Sequence, residues 1–256
     1  MNIRLEIESG IAKIVLDRPE RYNALTDEMK NEFLEALQAI RFDHNVRAVL
    51  LTGEGKAFCS GSDVGTMGEF DPLAGRDRIQ HAHDFILALA NMEKPVIAAV
   101  RGPAVGVGWS LALACDIILA SDTAKFAQVF KKIGLAPDGG AIFFLTRYMG
   151  VLRAKELVMS ARTIGAEEAH RLGLVTEVVP DDDLDARAMA LASEMAESAT
   201  FALAMAKRMF HGVTQPSLET FLELESHVQN LVLQSSDRTE GVNAYTEKRP
   251  PKFIGR

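Results

Sequence analysis

In this chain of 256 residues, the stretch Val100–Ser110 reads VRGPAVGVGWS, and the predicted fold is built on it. An apolar run, Pro95–Val100, leads into it, and the helix-favouring residues 111–114 lead out of it. The order strand, glycine-rich bend and helix start aims backbone N–H groups at one point, where they stabilise an anion. Because Gly106 and Gly108 carry no side chain, a ligand oxygen or a second backbone segment can come close there.

A second glycine bend, residues 58–63 (FCSGSD), follows another apolar strand that the sequence predicts near residues 46–51. Two bends whose N–H groups converge on one carbonyl oxygen form an oxyanion hole, which stabilises the negative charge that develops there during a reaction. Our central hypothesis from the residues is that the two bends meet in this way.

The bulk composition excludes several classes of function. The formal net charge of −7 argues against a general nucleic-acid or membrane-surface binder. Cys59 and Cys115 form no disulfide framework and suit the reducing cytoplasm, which is the expected location. The sequence has no His or Cys spacing typical of a metal site, and no apolar run approaches the ~20 residues of a membrane span.

The order of predicted elements indicates an α/β fold in two parts. Strands and helices mix over residues 1–197, where two short strands, a glycine bend and a helix recur, which predicts a spiral of ββα units. Residues 198–256 carry only helical runs, and the run 217–234 has more apolar positions than a lone appendage needs, which favours subunit contact. Residues 65–75 have no clear period and are predicted as a loop over a site.

Asp138 is the candidate for acid–base chemistry. It lies between Pro137 and a pair of glycines just before a predicted helix, so an N-cap is one interpretation. The other is a general base, because a carboxylate among apolar side chains becomes a usable proton acceptor. The apolar neighbours expected in that case are Phe130, Ile133 and Leu135.

Other patterns near the glycine bend are incomplete. Gly106–Gly108 could open a dinucleotide-binding fingerprint, but Leu111 stands at its third glycine. Residues 108–112 are similar to a nucleophile elbow, but the downstream histidines fall within helical runs. His83 lies on an apolar helix face, where a lone histidine is more often structural than catalytic.

Residues 57–63 (AFCSGSD) and 102–108 (GPAVGVG) resemble the two oxyanion segments of the enoyl-CoA hydratase/isomerase (crotonase) family. The resemblance extends from the loop 18–25 (RPERYNAL) to residues 248–253 (KRPPKF). It implies a crotonase-like spiral of ββα units over 1–197 and a C-terminal helical trimerisation region over 198–256. It also implies a homotrimer or a dimer of trimers, and an acyl-CoA thioester substrate. Coenzyme A is then part of the substrate, and no separate cofactor or metal is expected.

The resemblance also assigns site residues by position. The oxyanion donors are the backbone N–H groups of Ser62 and Val107, although relatives more often have glycine at the second position. The remaining positions are expected to bind the substrate and its coenzyme A portion: Arg21, Ala24, Leu25, Ser60, Asp63, Val64, Gly106, Phe130 and, from a neighbouring subunit, Lys252.

The catalytic positions favour one reaction within the family. The two glutamates of the family's hydratases fall on Ser110 and Phe130, neither of which accepts a proton as a carboxylate does. Asp138 falls where several isomerases of the family keep a carboxylate. The expected activity is therefore an acyl-CoA isomerase that moves a double bond or opens a ring, with Asp138 as general base.

Three alternatives stay open at this point. One is an enoyl-CoA hydratase of the same family. Another is a hydrolase similar to 4-chlorobenzoyl-CoA dehalogenase, in which Asp138 is the nucleophile and His83 the base. The third is a non-catalytic acyl-CoA binding protein.

Overall fold

A computed structural model describes residues 2–66, 72–213 and 217–256. Strands and helices are mixed along the described chain as far as α7, and α8–α10 follow without a further strand. In chain order they are β1 (Ile3–Glu8), β2 (Ile11–Leu16), α1 (Asp27–Arg41), β3 (Ala48–Gly53), α2 (Pro72–Ala90), β4 (Val96–Val100), β5 (Pro103–Val105), α3 (Val107–Leu113), β6 (Ile117–Ser121), β7 (Lys125–Ala127), α4 (Ala141–Met149), α5 (Val151–Ser160), β8 (Ile164–Gly165), α6 (Ala166–Arg171), β9 (Glu177–Val179), α7 (Leu184–Glu197), α8 (Thr200–Gly212), α9 (Leu218–Val232) and α10 (Ser236–Glu247).

Two sheets organise these elements. The larger has the order β1-β2-β3-β4-β6-β9, and the smaller has the order β5-β7-β8. In the larger sheet, β1 and β2 form an antiparallel hairpin and every other pair of neighbouring strands is parallel; in the smaller sheet, β5 and β7 are parallel and β7 and β8 are antiparallel. The chain passes from one sheet to the other and then into a helix, first as β4–β5–α3 and then as β6–β7–α4. The predicted spiral of ββα units is confirmed.

The central strands are buried on both faces, as parallel strands between helical layers must be. Every residue of β3 and β4 is buried. Val49, Leu51 and Ala98 belong to the main core, which also contains the apolar faces of α1, α2 and α3. The alternate residues Leu50 and Ile97 pack on the opposite face against α7.

Helix α3 lies inside the core, and all seven of its residues are buried. Its N-cap, Gly106, has a φ of 57° and a ψ of −126°, a conformation that glycine adopts without strain. A Cβ on Gly108 would lie 2.4 Å from the carbonyl oxygen of Cys59. The helix therefore packs directly on the backbone of the first glycine bend, and glycine at position 108 is what permits this contact.

Two of the differences from the sequence prediction concern the loop over 65–75 and strand β8. The predicted loop over 65–75 is wrong at its end, because α2 begins at Pro72, where proline suits the first helical position. Residues 67–71 of that prediction lie outside the described residues. β8 was not predicted, since two residues carry no readable alternation.

The helical C-terminal region is tied to the rest of the chain. Lys207 Nζ of α8 lies 2.8 Å from Asp116 Oδ2, and the Arg47 guanidinium donates to the carbonyls of Ser198 and Phe253. The division at residue 198 stays a prediction about domain organisation. None of the helices in the described ranges is long and apolar enough to cross a membrane.

The packing at Gly108 generates a prediction about stability. Gly108→Ala should lower the free energy of unfolding by about 1–3 kcal/mol, since the new methyl group meets a backbone carbonyl that cannot rotate away. Gly241→Ala in α10 is the matched control, because its Cβ would make ordinary contact, 3.5 Å from Phe253. The free energy of unfolding of this control should rise by about 0.5–1 kcal/mol. Chemical denaturation measures the free energy of unfolding of both variants, and an equal change in the two would contradict the prediction.

Candidate active site

The first glycine bend runs beside the segment that leads into α3. The N–H groups of Phe58 and Cys59 donate to the carbonyls of Arg101 and Pro103, at 2.8 and 3.0 Å. The N–H of Val105 donates in return to the carbonyl of Cys59, at 2.9 Å. This pairing is parallel, and it brings the two predicted oxyanion segments side by side.

The amide of Ser62 faces the side on which α3 begins. Ser62 forms a parallel bridge with Leu25, whose N–H donates to the Gly61 carbonyl and whose carbonyl accepts from Asp63 N–H, both at 2.8 Å. In such a bridge the residue between the two bonded neighbours directs its own N–H away from the partner strand. The backbone of Cys59 pairs with Pro103 and Val105, whereas the next N–H, that of Ser60, donates to the Tyr22 carbonyl on the opposite side. The segment that leads into α3 is therefore on the side away from the Leu25 loop.

Val107 is the first residue of α3, where an N–H has no partner within the helix. Neither Val107 N–H nor Ser62 N–H donates to another residue in the part of the chain that the structure describes. Two unused backbone donors therefore stand on neighbouring segments, as the sequence hypothesis requires. Their role toward a thioester oxygen stays a prediction.

Asp138 is fixed to the first turn of the same helix. Its carbonyl oxygen accepts hydrogen bonds from Ser110 Oγ at 3.2 Å and from Ala141 N–H at 3.1 Å. A Cβ on Gly139, which has a φ of 61°, would lie 2.9 Å from both Val107 Cγ2 and Ser110 Cβ. The Asp138–Gly139 peptide thus lies against the face of α3 that carries the predicted donor.

The surroundings of Asp138 differ partly from expectation. The N-cap of α4 is Gly140, so Asp138 does not cap that helix. Oδ1 of Asp138 is buried although the residue as a whole is partly exposed. Of its three predicted apolar neighbours, Phe130 is buried and packs its ring on Gly106, but Ile133 and Leu135 are 50% and 46% exposed. Ile133 ends a short turn that Gly134 caps in the left-handed conformation, and Leu135 follows it, so both side chains are exposed; their place in the lining of the Asp138 site stays a prediction.

The loop predicted to hold coenzyme A packs against the first bend. Arg18 forms an ion pair with Asp63 at 2.7 Å and also donates to the Ala24 carbonyl at 3.0 Å. The hydrogen bond from Arg18 lowers the pKa of the Asp63 carboxyl, which therefore stays ionised. Ser60 Oγ donates to the Arg21 carbonyl at 3.3 Å. The structure brings together Arg21, Ala24, Leu25, Ser60 and Asp63, with Val64 exposed at the edge of the group.

Arg18 is a residue that the sequence reasoning missed. It links the loop 18–25 to the first bend, and it places a positive charge beside an acidic side chain in a region where an anionic ligand is expected. Its position at the start of the RPERYNAL loop was the available signal.

Lys252 lies on the C-terminal tail beside α10. Its N–H donates to Glu240 Oε1 at 2.8 Å, and the side chain of Glu240 also pairs with Arg249. Hydrogen bonds from Arg249 and Lys252 lower the pKa of Glu240 to about 2. This clamp fixes the backbone of the tail and leaves Lys252 exposed; its predicted contact with a neighbouring subunit's ligand stays a prediction.

An apolar groove of about 1180 Å³ lies between α2, α4 and α8. His83 of α2 and Gly140, two residues beyond Asp138, both line it. Its walls include Leu87, Phe144 and Phe210. The groove therefore reaches the loop that carries the predicted base, and it contains the histidine that the dehalogenase alternative invokes.

Comparison with known proteins identifies the class of protein to which this chain belongs. The fold matches the crystal structure of an enoyl-CoA hydratase from Bacillus anthracis with a TM-score of 0.95 and 33% identity, over 100% of both chains. A family model described as enoyl-CoA hydratase/isomerase matches residues 6–256. The chain belongs to the enoyl-CoA hydratase/isomerase family.

Two relatives in that family carry the names of different reactions. The chain is 43% identical over 255 residues to a protein named "Probable enoyl-CoA hydratase" from Rhodobacter capsulatus, covering 99% of this chain and 98% of that protein. It is 38% identical over 255 residues to a 1,2-epoxyphenylacetyl-CoA isomerase from Escherichia coli, covering 98% of this chain and 97% of that protein.

Proposed function

We propose that the protein is an acyl-CoA isomerase in which Asp138 is the general base and the N–H groups of Ser62 and Val107 form the oxyanion hole. The observation that carries this proposal is the close contact of Gly139 with both Val107 and Ser110. It supports the proposal because the Asp138–Gly139 backbone lies against the start of a helix whose first N–H is unused within the described chain.

The positions of the two missing glutamates support isomerisation over hydration. Ser110 is buried, and a Cβ on Gly139 would lie 2.9 Å from Ser110 Cβ, so a longer side chain at position 110 would displace the Asp138 loop. Phe130 fills the second position with an apolar ring against Gly106. Syn hydration by a pair of carboxylates thus has neither partner at its usual place.

The proposed reaction is a proton shift that needs one base. The Asp138 carboxylate takes a proton from the acyl chain, and the electron pair moves through the conjugated carbons to the thioester oxygen. The two backbone N–H groups stabilise the resulting enolate. Asp138 then returns the proton to a different carbon, which moves the double bond or completes the opening of a strained ring, and the atoms of the substrate are conserved. Coenzyme A enters with the substrate, and no step uses a further cofactor.

Hydration is the second candidate, because the relative from Rhodobacter capsulatus carries a hydratase name. A panel of enoyl, dienoyl and aryl thioesters, with products analysed by mass spectrometry, separates the two reactions. Isomerisation leaves the substrate mass unchanged, whereas hydration adds one water. Hydration as the dominant reaction across the panel would contradict the proposal.

Asp138→Asn tests the base. The variant should turn over 3-enoyl thioesters about 10²–10⁴ times more slowly, as loss of a general base does, while binding them with unchanged affinity. Asp122→Asn, an exposed aspartate in the turn between β6 and β7, is the control and should keep full activity. An Asp138→Asn enzyme with unchanged turnover would refute the assignment, and binding without turnover by the parent protein would indicate a non-catalytic binder.

Val107→Pro tests the oxyanion hole, because proline removes the N–H of residue 107. Proline is favoured at the first helical position, where no helical hydrogen bond is lost. Loss of one oxyanion donor should lower kcat about 10²–10³-fold.

The chain offers a matched control for this variant. Val151 is also a valine at the first position of a helix and also follows a glycine N-cap, but it begins α5 and is exposed. Val151→Pro should leave kcat unchanged. Equal kcat values for the two proline variants would count against a catalytic role for the Val107 amide.

We also propose that copies of the chain assemble through α9, giving a homotrimer or a dimer of trimers. α9 has no buried residue, and Leu218, Leu222 and Leu231 are exposed along it. Such an apolar helix face favours burial against another subunit. Sedimentation equilibrium should give the mass of three or six chains, and Leu222→Glu should lower it; a monomeric parent protein would contradict the proposal.

A further inference from the structure

Ser110 lies between the two parts of the proposed site, which are the start of α3 and the loop of Asp138. It is fully buried in α3, one turn after Val107. Its hydroxyl lies 3.3 Å from the Gly106 carbonyl in its own helix and 3.2 Å from the Asp138 carbonyl in the neighbouring loop. A single hydroxyl is therefore within hydrogen-bonding distance of both the helix that carries the proposed oxyanion donor and the loop that carries the proposed base.

The packing around this hydroxyl leaves the loop little freedom. Gly139 follows Asp138 directly and is buried, and a Cβ there would lie 3.2 Å from Ser110 Oγ and 2.9 Å from Ser110 Cβ. Gly139 and Gly140 both have positive φ values, 61° and 77°, so the backbone turns sharply at this point. A shift of the Asp138 carbonyl would have to break the bond to Ser110 or move the glycines against α3.

We propose that Ser110 is a positioning residue, which sets the location of the Asp138 carboxylate relative to the Val107 N–H; this inference rests on the proposed function. The oxyanion donor and the anchor of the base lie on the same turn of the same helix, so their separation is fixed by helix geometry. Ser110 acts through Asp138 and does not touch the substrate. The hydroxyl thereby serves catalysis at the sequence position where the family's hydratases carry a glutamate.

Ser110→Ala should lower kcat for 3-enoyl thioesters about 3- to 10-fold with KM unchanged, since one neutral hydrogen bond that orients the loop is lost. Ser110→Cys keeps the side-chain volume and a weak donor, so its kcat should fall between those of the parent and the alanine variant. The cysteine variant also keeps the test decisive if the alanine variant fails to fold.

A double-mutant cycle distinguishes positioning from a merely structural role. If Ser110 acts through Asp138, Ser110→Ala should change the residual kcat of Asp138→Asn less than twofold. If Ser110 supports the fold alone, its substitution should cost the same factor in both backgrounds. Equal factors in both backgrounds would overturn the proposal.

Ser198→Ala is the control for removing a serine hydroxyl that bonds the backbone of its own helix. Ser198 Oγ donates to the Glu194 carbonyl four residues back, at 2.8 Å, and Ser110 Oγ likewise lies 3.3 Å from the Gly106 carbonyl four residues back. This variant should leave kcat unchanged. The cycle also separates two failures: an active Asp138→Asn enzyme refutes the proposed function, whereas an inactive one with additive Ser110→Ala effects refutes the positioning role alone.

Discussion

The backbone of Cys59 touches the first turn of α3, and this contact sets how close the two glycine bends can come. A side chain at position 108 would overlap the Cys59 carbonyl oxygen, since its Cβ would lie 2.4 Å away. The bend before Ser62 and the helix beginning at Val107 are consequently packed as one unit. An oxyanion hole made of backbone amides depends on such contacts, because the amides cannot adjust independently of the chain that carries them.

Helix α3 is short, yet the rest of the site is arranged around it. Its first residue offers an unused N–H, its second packs on the first bend, and Ser110 holds the Asp138 loop. The helix is buried along its whole length between sheet and helices, so its position is determined by the core. A rigid buried element is a better support for a catalytic arrangement than an exposed loop.

The sequence predicted the parts of this arrangement that depend on local chemistry. The glycines at 106 and 108 marked the bend before α3, and the glycine pair after Asp138 marked the loop before α4. What the sequence could not show depends on tertiary contact. The bond from Ser110 to Asp138 joins residues 28 positions apart, and the exposure of Ile133 and Leu135 follows from the direction of a turn.

Ser110 stands at the position assigned to a glutamate in the family's hydratases, and this difference affects the chemistry as well as the packing. A carboxylate at position 110 would stand on a helix, whereas the carboxylate of Asp138 stands on a loop that the Ser110 hydroxyl holds by its main chain. With Phe130 at the other glutamate position, the proposed site has one carboxylate and two backbone donors. One base is sufficient to take a proton from a carbon and return it to another, but activating water and protonating the product carbon is the task of a pair. In the proposed reaction, the same helix and the same two segments would serve a proton shift, with the acidic group on the loop instead of on the helix.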